Sequence, residues 1–297
     1  MDRRQFIGST AAAGALLALG DAGKALAAGG APDLVAVKGG EPGALFDRAI
    51  QELGGMKAFV KKGQKVLVKP NIGWDVEPER GGNTNPALVA RIVEQALAAG
   101  AKEVWVFDHS CDDGQRSYKT SGIEAAAKAA GAKVAPSWAE GAYQLQQFDT
   151  DTLINAKVHE LFLQADVFIN VPVLKHHSSS QLTIGLKNLM GVVWDRGRWH
   201  ASGLSACIAD FAGFRKPDLT VVDAYRVMMR NGPRGRGLED VVEMKTQILS
   251  RDPVAADAAA AKLFGLDAKE VVHIDLAATA KLGRMDLDKL DIRRLTI

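Results

Sequence analysis

The chain is poor in cysteine: only Cys111 and Cys207 occur in its 297 residues. A ferredoxin-type iron–sulfur cluster takes four thiolates at close spacing. The chain therefore supplies no iron–sulfur cluster from its own cysteines. An oxidising compartment permits a Cys111–Cys207 disulfide, and two separate buried thiols are the simpler reading. A charge excess is also lacking, because 37 Lys and Arg oppose 35 Asp and Glu, a formal net charge of +2. No strong basic field exists to recruit nucleic acid. The body of the chain holds no apolar run of about 18 residues, so no membrane span is expected in it. Several catalytic signatures are missing as well. There is no Walker loop, no G-x-G-x-x-G between strand and helix, no H-E-x-x-H and no G-x-S-x-G. What remains is ordinary globular composition, 47% hydrophobic and 24% charged, ample for a large core.

The N-terminus differs from the body. Asp2-Arg3-Arg4-Gln5-Phe6-Ile7-Gly8 opens it, and a weakly apolar Ala/Gly/Leu stretch follows from Ser9 to Gly20. Ala25-Leu26-Ala27 then offers an A-x-A cleavage site. This is the layout of a removable export signal over residues 1–27. The paired arginines are of the twin-arginine type, although Asp2 stands where Ser or Thr is usual. The expected partner is the twin-arginine translocase, and the expected location of residues 28–297 is the periplasm or its equivalent.

From Asp33 onward, short apolar runs alternate with helical patterns. Strands are expected over Asp33–Lys38, Lys65–Lys69, Glu103–Asp108, Lys133–Pro136, Val167–Val173, Asp218–Asp223, Gln247–Ser250 and Asp291–Ile297. Helices are expected over Glu41–Val60, Pro86–Ala99, Ser121–Ala130, Leu182–Met190, Ser202–Phe214, Pro253–Phe264 and Asp275–Lys281. Residues 137–165 suggest a small β excursion. Such alternation implies βαβ units and a mainly parallel open sheet flanked by helices. No linker divides the mature chain, so one elaborated α/β domain is expected.

Four of the expected strands empty into polar groups. Lys65–Lys69 delivers Lys69 and Asn71, and Glu103–Asp108 delivers Asp108 and His109. The third strand delivers Lys175, His176 and His177, and the fourth delivers Asp223. Ligands of open α/β sheets bind outside the carboxyl ends of the strands. Lysines, carboxylates and imidazoles converging there suit an anionic ligand, a divalent metal, or both. Adjacent His176 and His177 point to opposite sides of an extended segment, so one of them is expected at the site. The metal candidates are His176, His177, His200 and Asp223.

Thr183 and Lys187 fall four apart, on one face of the expected helix, with Asn188 beside them. The start of that helix would hold a carboxylate or phosphate on its unpaired N–H groups. The loop Trp194–Trp199 can fold over the site. Asn231-Gly232-Pro233-Arg234-Gly235-Arg236-Gly237 is a flexible loop that brings Arg234. Asp257, a lone carboxylate in an Ala-rich helix, either faces solvent or approaches another backbone closely. His159 and His273 lie in amphipathic stretches and read as structural.

The motifs VLVKPNI (Val66–Ile72), TNP (Thr84–Pro86), SGI (Ser121–Ile123), NVPVLKHH (Asn170–His177) and LKNLMGVV (Leu186–Val193) follow one another along the chain. VVDA (Val221–Ala224), NGPRGRG (Asn231–Gly237) and SRDPVAADA (Ser250–Ala258) complete the set. In this order they resemble the domain-of-unknown-function family 362, over roughly Val35 to Gly283. The resemblance implies an α/β fold and no particular reaction. Several members carry an added ferredoxin-like iron–sulfur module, which this chain lacks. The Lys- and His-bearing strand ends also resemble, loosely, the nickel-cofactor lactate racemases.

These readings point to an exported metal- or cofactor-dependent enzyme acting on a small anionic substrate. Lys69, Asn71, Lys175, Thr183, Lys187, Asn188 and Arg234 would hold the anion, with Asp108, His109, Lys175 and His176 moving protons. The alternatives are a non-catalytic periplasmic ligand- or metal-binding protein, and a redox partner of an iron–sulfur protein.

Overall fold

A computed structural model describes residues 30–297. The export signal expected over residues 1–27 lies outside the described residues. The described chain runs β1 (Leu34–Lys38), α1 (Pro42–Glu52), β2 (Lys65–Pro70), α2 (Pro86–Ala98), β3 (Glu103–Val106), α3 (Gly114–Thr120), α4 (Ile123–Ala129) and β4 (Lys133–Val134). It continues through β5 (Tyr143–Gln147), β6 (Asn155–His159), α5 (Glu160–Gln164), β7 (Val167–Val171), β8 (Val173–His177), β9 (Gln181–Thr183) and α6 (Gly185–Asn188). It ends with α7 (Trp199–Ser202), α8 (Leu204–Phe214), β10 (Leu219–Met228), β11 (Val241–Ser250), α9 (Pro253–Phe264), α10 (Val272–Thr279) and β12 (Ile292–Thr296).

The main sheet follows the order β12-β1-β11-β10-β7-β2-β3-β4, with β8 added beside β10 and β9 beside β8. Pairings are parallel except those of β11 with β1 and β10, and of β9 with β8. The mainly parallel sheet expected from the alternating pattern is therefore present. The expected β excursion is also present, as the antiparallel hairpin β5–β6.

Alternation along the strands divides the core into two layers. Val35, Val37, Val66, Val68, Val104 and Val106 face α1, α2 and α4. Leu34, Ala36, Leu67 and Phe168 face the opposite layer, built with α8, α9 and α10. Period-two side-chain direction is what lets one strand feed both layers.

Two local departures from the expected elements position the site. The first is at Pro172, which has no N–H to give a ladder. β7 pairs with β10 at Leu219 and Thr220, the chain steps at Pro172, and β8 resumes beside Asp223. The Pro172 carbonyl accepts from Asp223 N at 2.8 Å, so the step costs no backbone acceptor. The second is at 178–180, where a turn folds β9 back on β8 in the register Lys175↔Thr183 and His177↔Gln181. The expected helix Leu182–Met190 is accordingly a strand, the short α6, and a 3-10 turn over Leu189–Val192. Cross-strand pairing outcompeted the helical pattern there, so Thr183 and Lys187 do not share a helix face.

Asp257 takes the second of its two expected placements. From α9 its carboxylate accepts from Gly185 N at 2.7 Å and Leu186 N at 2.9 Å. It is fully buried, and burial raises its pKa to about 7. Those amides therefore go to a protein carboxylate rather than to a ligand. A Cβ on Gly185 would sit 2.6 Å from Asp257 Oδ1, so a glycine is needed for this approach. We expect Asp257→Ala to cost about 1–3 kcal/mol for each buried amide left without an acceptor. Denaturant unfolding checks this, and a variant within about 0.5 kcal/mol of wild type would sink the role.

Candidate functional site

The C-terminal ends of β2, β3 and β8 open into a cavity of about 290 Å³. Its wall carries Lys69, Lys175, Lys187 and Arg196 against a single carboxylate, Asp108. Lys69 and Lys175 are 0% and 1% exposed and Lys187 is 9% exposed. Lysine is almost never fully buried unless paired, so the partners of each amine matter.

Lys69 Nζ lies 2.7 Å from Asp108 Oδ1 and donates to Pro70 O at 2.8 Å and Asn188 Oδ1 at 3.0 Å. The other Asp108 oxygen accepts from Ile72 N at 2.6 Å. Asn188 Oδ1 also accepts from Asn71 Nδ2 at 3.0 Å, and Asn188 Nδ2 donates to Asn170 Oδ1 at 2.9 Å. Asn71 Oδ1 in turn accepts from Lys175 Nζ at 3.1 Å. One connected polar network thus links Asp108, Lys69, Asn188, Asn71 and Lys175. Lys175 donates also to Gly82 O, and its ammonium stands 6.0 Å from the centre of the Trp74 ring. Lys187 differs from the other two. Among the described residues, its amine meets only the thioether of Met190, at 3.3 Å.

Burial works against each ammonium. It pulls Lys175 down to about 7 against a standing pull upward from Cys111 and Asp108. Burial, helped by the Arg196 charge, brings Lys187 down to about 8. Lys69 is also lowered by burial, and Asp108 opposes that shift. The cavity therefore holds amines that change protonation near neutral pH, which suits proton transfer.

The imidazoles separate as strand alternation requires. Lys175 and His177 lie on the cavity side of β8, and His177 lines the cavity with His200. Burial and the Lys187 charge lower the pKa of both, so both rings are held neutral, and His177 Nδ1 accepts from Ser179 N at 3.1 Å. His176 points the other way and its Nδ1 accepts from Gly232 N at 3.1 Å. The expectation that His176 acts at the site is corrected on this geometry. His109 lines the cavity, held by Val193 O at 3.0 Å from its Nδ1 and stacked on Trp194.

Asp223 and Arg234 are likewise placed elsewhere. β10 does not end at Asp223 but continues to Met228, almost entirely buried. The Asp223 carboxylate accepts from Asn85 N at 2.7 Å and Tyr225 N at 3.0 Å, tying α2 to the sheet. Arg234 pairs with Asp112 at 3.2 Å in an exposed position, while its neighbour Pro233 reaches the cavity. The four metal candidates His176, His177, His200 and Asp223 are not brought together. Among the described residues, no group of three or more His, Cys, Asp and Glu side chains is arranged to hold a metal ion.

The loop expected to fold over the site does so through Arg196. Its guanidinium donates to Ser110 O at 3.0 Å, Met190 O at 3.3 Å and Cys111 Sγ at 3.3 Å. Cys111 lines the cavity and Cys207 is buried elsewhere, and both are free thiols. Sequence reasoning missed Trp74, Asn170 and Gly191. Asn170 had a visible signal, an amide inside the apolar run Phe168–Val173. Gly191 had none, because its role is set by side chains from distant strands.

The fold is α/β, and the amine-bearing cavity stands at the carboxyl ends of parallel strands, where such sheets bind ligands. The chain belongs to the family described as Domain of unknown function (DUF362), whose match covers residues 66–262 and every cavity-lining residue. It is 28% identical over 242 residues to the thylakoid-associated protein sll1697 of Synechocystis sp. (strain ATCC 27184 / PCC 6803 / Kazusa), covering 79% of this chain and 73% of that protein. Two solved structures are similar in fold. One is the lactate racemase apoprotein of Thermoanaerobacterium thermosaccharolyticum, with a TM-score of 0.43 at 11% identity over 71% of this chain. The other is a Thermotoga maritima protein, with a TM-score of 0.46 at 13% identity over 81% of this chain. The chain spans 53% and 60% of those two structures.

A Cβ on Gly191 would stand 1.8 Å from Asp108 Oδ1 and 2.5 Å from Lys69 Nζ. Gly191→Ala is therefore expected to break the Lys69–Asp108 pair and lower Tm markedly. A thermal melt checks this, and an unchanged Tm would show that the pair tolerates displacement.

Proposed function

We propose that this protein is an enzyme that binds a small organic anion in the Lys69–Lys175–Lys187 cavity and moves protons with Lys175. The observation that carries the reading is the set of three buried amines facing one carboxylate. Asp108 is already engaged by Lys69 and by Ile72 N. The remaining positive charge has no protein counter-ion in the cavity, and an incoming carboxylate supplies one. Asn71 and Asn188 hold Lys69 and Lys175 in place rather than meeting the ligand as charges. His200, which lines the cavity, accepts or returns protons.

The same reading places the chain outside the cytoplasm. Arg3-Arg4 and the Ala25–Ala27 site carry that part, with residues 28–297 as the exported α/β domain. The relative's association with thylakoids accords with work at or beyond a membrane. No helix among the described residues is long and apolar enough to cross one.

Anion binding raises the pKa of nearby ammonium groups. With Lys175 near 7 and Lys187 near 8, binding at pH 8 takes up protons. At pH 6 both amines are already charged and uptake fades. Calorimetry with oxalate in buffers of different ionisation enthalpy reads this directly. Lys175→Met is expected to weaken oxalate about 10- to 100-fold, the equivalent of about 1.5–3 kcal/mol for a hydrogen bond to a charged group. Absence of binding by oxalate, malonate and phosphate alike would remove the anion reading.

Export is checked separately. Arg3→Lys with Arg4→Lys is expected to leave uncleaved precursor in the cytoplasm. Normal export of that double variant would remove the twin-arginine translocase as a partner.

A further inference from the structure

The three cavity amines are not equivalent, and the difference has chemical meaning. Lys69 has an ion-pair partner and two oxygen acceptors. Lys175 has two oxygen acceptors. Lys187, nine-tenths buried on the same wall, has only the Met190 thioether. A thioether is a weak acceptor and does little to hold a proton on nitrogen. Two neighbouring cations, Arg196 and Lys175, share its cavity. An amine desolvated beside other cations is the setting in which lysine becomes a nucleophile.

We propose that Lys187 forms an imine with the carbonyl carbon of a small 2-oxo acid, whose carboxylate is held by Lys175, the amine with a donor to spare. The inference rests on the anion-binding reading above and names its substrate class. The Nζ lone pair attacks the carbonyl carbon, the C–N bond forms, and the carbonyl π pair moves to oxygen. A proton passes from nitrogen to that oxygen, giving the neutral carbinolamine. The oxygen then leaves as water with a second nitrogen-derived proton, and the C=N bond closes. Amine plus carbonyl becomes imine plus water, with no change of oxidation state and no outside reactant. His200, which lines the same cavity, is the imidazole available to relay those protons, whereas burial and the Lys187 charge strongly disfavour a protonated His177. The lowered affinity of Lys187 for its proton leaves a usable fraction of neutral amine near pH 8.

The test uses the full mature chain with glyoxylate, the smallest carbonyl acid, and borohydride. The expected result is one reduced adduct per chain, mapped to Lys187 by peptide mass spectrometry. Oxalate has the carboxylates but no electrophilic carbonyl, and is expected to suppress the adduct. Lys187→Arg keeps the charge and is expected to carry no adduct in the cavity. Labelling spread over exposed lysines, or centred on Lys175, overturns the assignment. No adduct with oxalate still bound also overturns it and leaves anion binding standing. Failure of both glyoxylate trapping and oxalate binding overturns the imine together with the reading beneath it.

Discussion

The interaction on which the rest depends is the buried contact between Lys69 and Asp108. Each charge comes from the end of a different parallel strand, and neither reaches solvent. Burying an isolated charge is costly, and pairing repays that cost only when the remaining donors and acceptors are also satisfied. The surroundings show that requirement being met. Asp108 takes Ile72 N, its backbone N–H and C=O both bond the Tyr118 hydroxyl, and Lys69 takes two further oxygens. Gly191 must be bare because the pair passes where its Cβ would lie. The helix and turn over 185–192 are thereby pinned to the sheet edge by the same contact that closes the cavity floor.

The path of the chain follows from that constraint. Asn188 has to reach Lys69, so α6 must stand over the end of β2. Asp257 fixes one end of that short helix from α9, and Asn170 fixes it from β7 through Gly185 O at 2.9 Å. A four-residue helix has little intrinsic stability, so these tertiary bonds define it. The turn at 178–180 then becomes a geometric necessity, because β9 must run back along β8 to bring Gly185 to Asp257. Thr84 completes the frame by accepting from Asn71 N and donating to Val171 O, joining the ends of β2 and β7.

The sheet and most of the cavity were legible from the sequence, and the reasons are physical. Strand–helix alternation implies a parallel sheet, and polar residues at the ends of Lys65–Pro70 and Val173–His177 stand where such sheets bind ligands. Alternation also foretold that one of His176 and His177 would be turned away, and the one turned away is His176, the one expected to move protons. The register with β9 decides that. Besides His176, three readings did not carry over. Asp223 looks like a strand end because it is charged, yet its carboxylate is satisfied by two backbone amides inside a longer strand. The helical pattern over 182–190 has the right spacing, and hairpin pairing with β8 overrode it. Arg234 is in a loop near the cavity, but its charge is spent on Asp112. For Asp223 and Arg234 a decisive partner, Asn85 or Asp112, lies far away in the chain, where local pattern has no access to it.

The amines divide the work of the cavity by how fully the protein satisfies them. Lys69 is fixed by a carboxylate, and its charge belongs to the fold. Lys175 is held by two neutral oxygens, so its proton is retained loosely and its charge answers to what enters. Lys187 is held by a thioether alone, and its amine is the least committed of the three. A buried polar group left under-satisfied is a cost that natural structures rarely carry without purpose. On the proposed reading, three amines set at three levels of satisfaction around one small volume provide a fixed charge for the frame, a titrating donor and a reactive nitrogen. On that reading a ligand carrying both a carboxylate and an electrophilic carbon uses Lys175 and Lys187 at once. A simple anion uses only Lys175, and leaves Lys187 without a role.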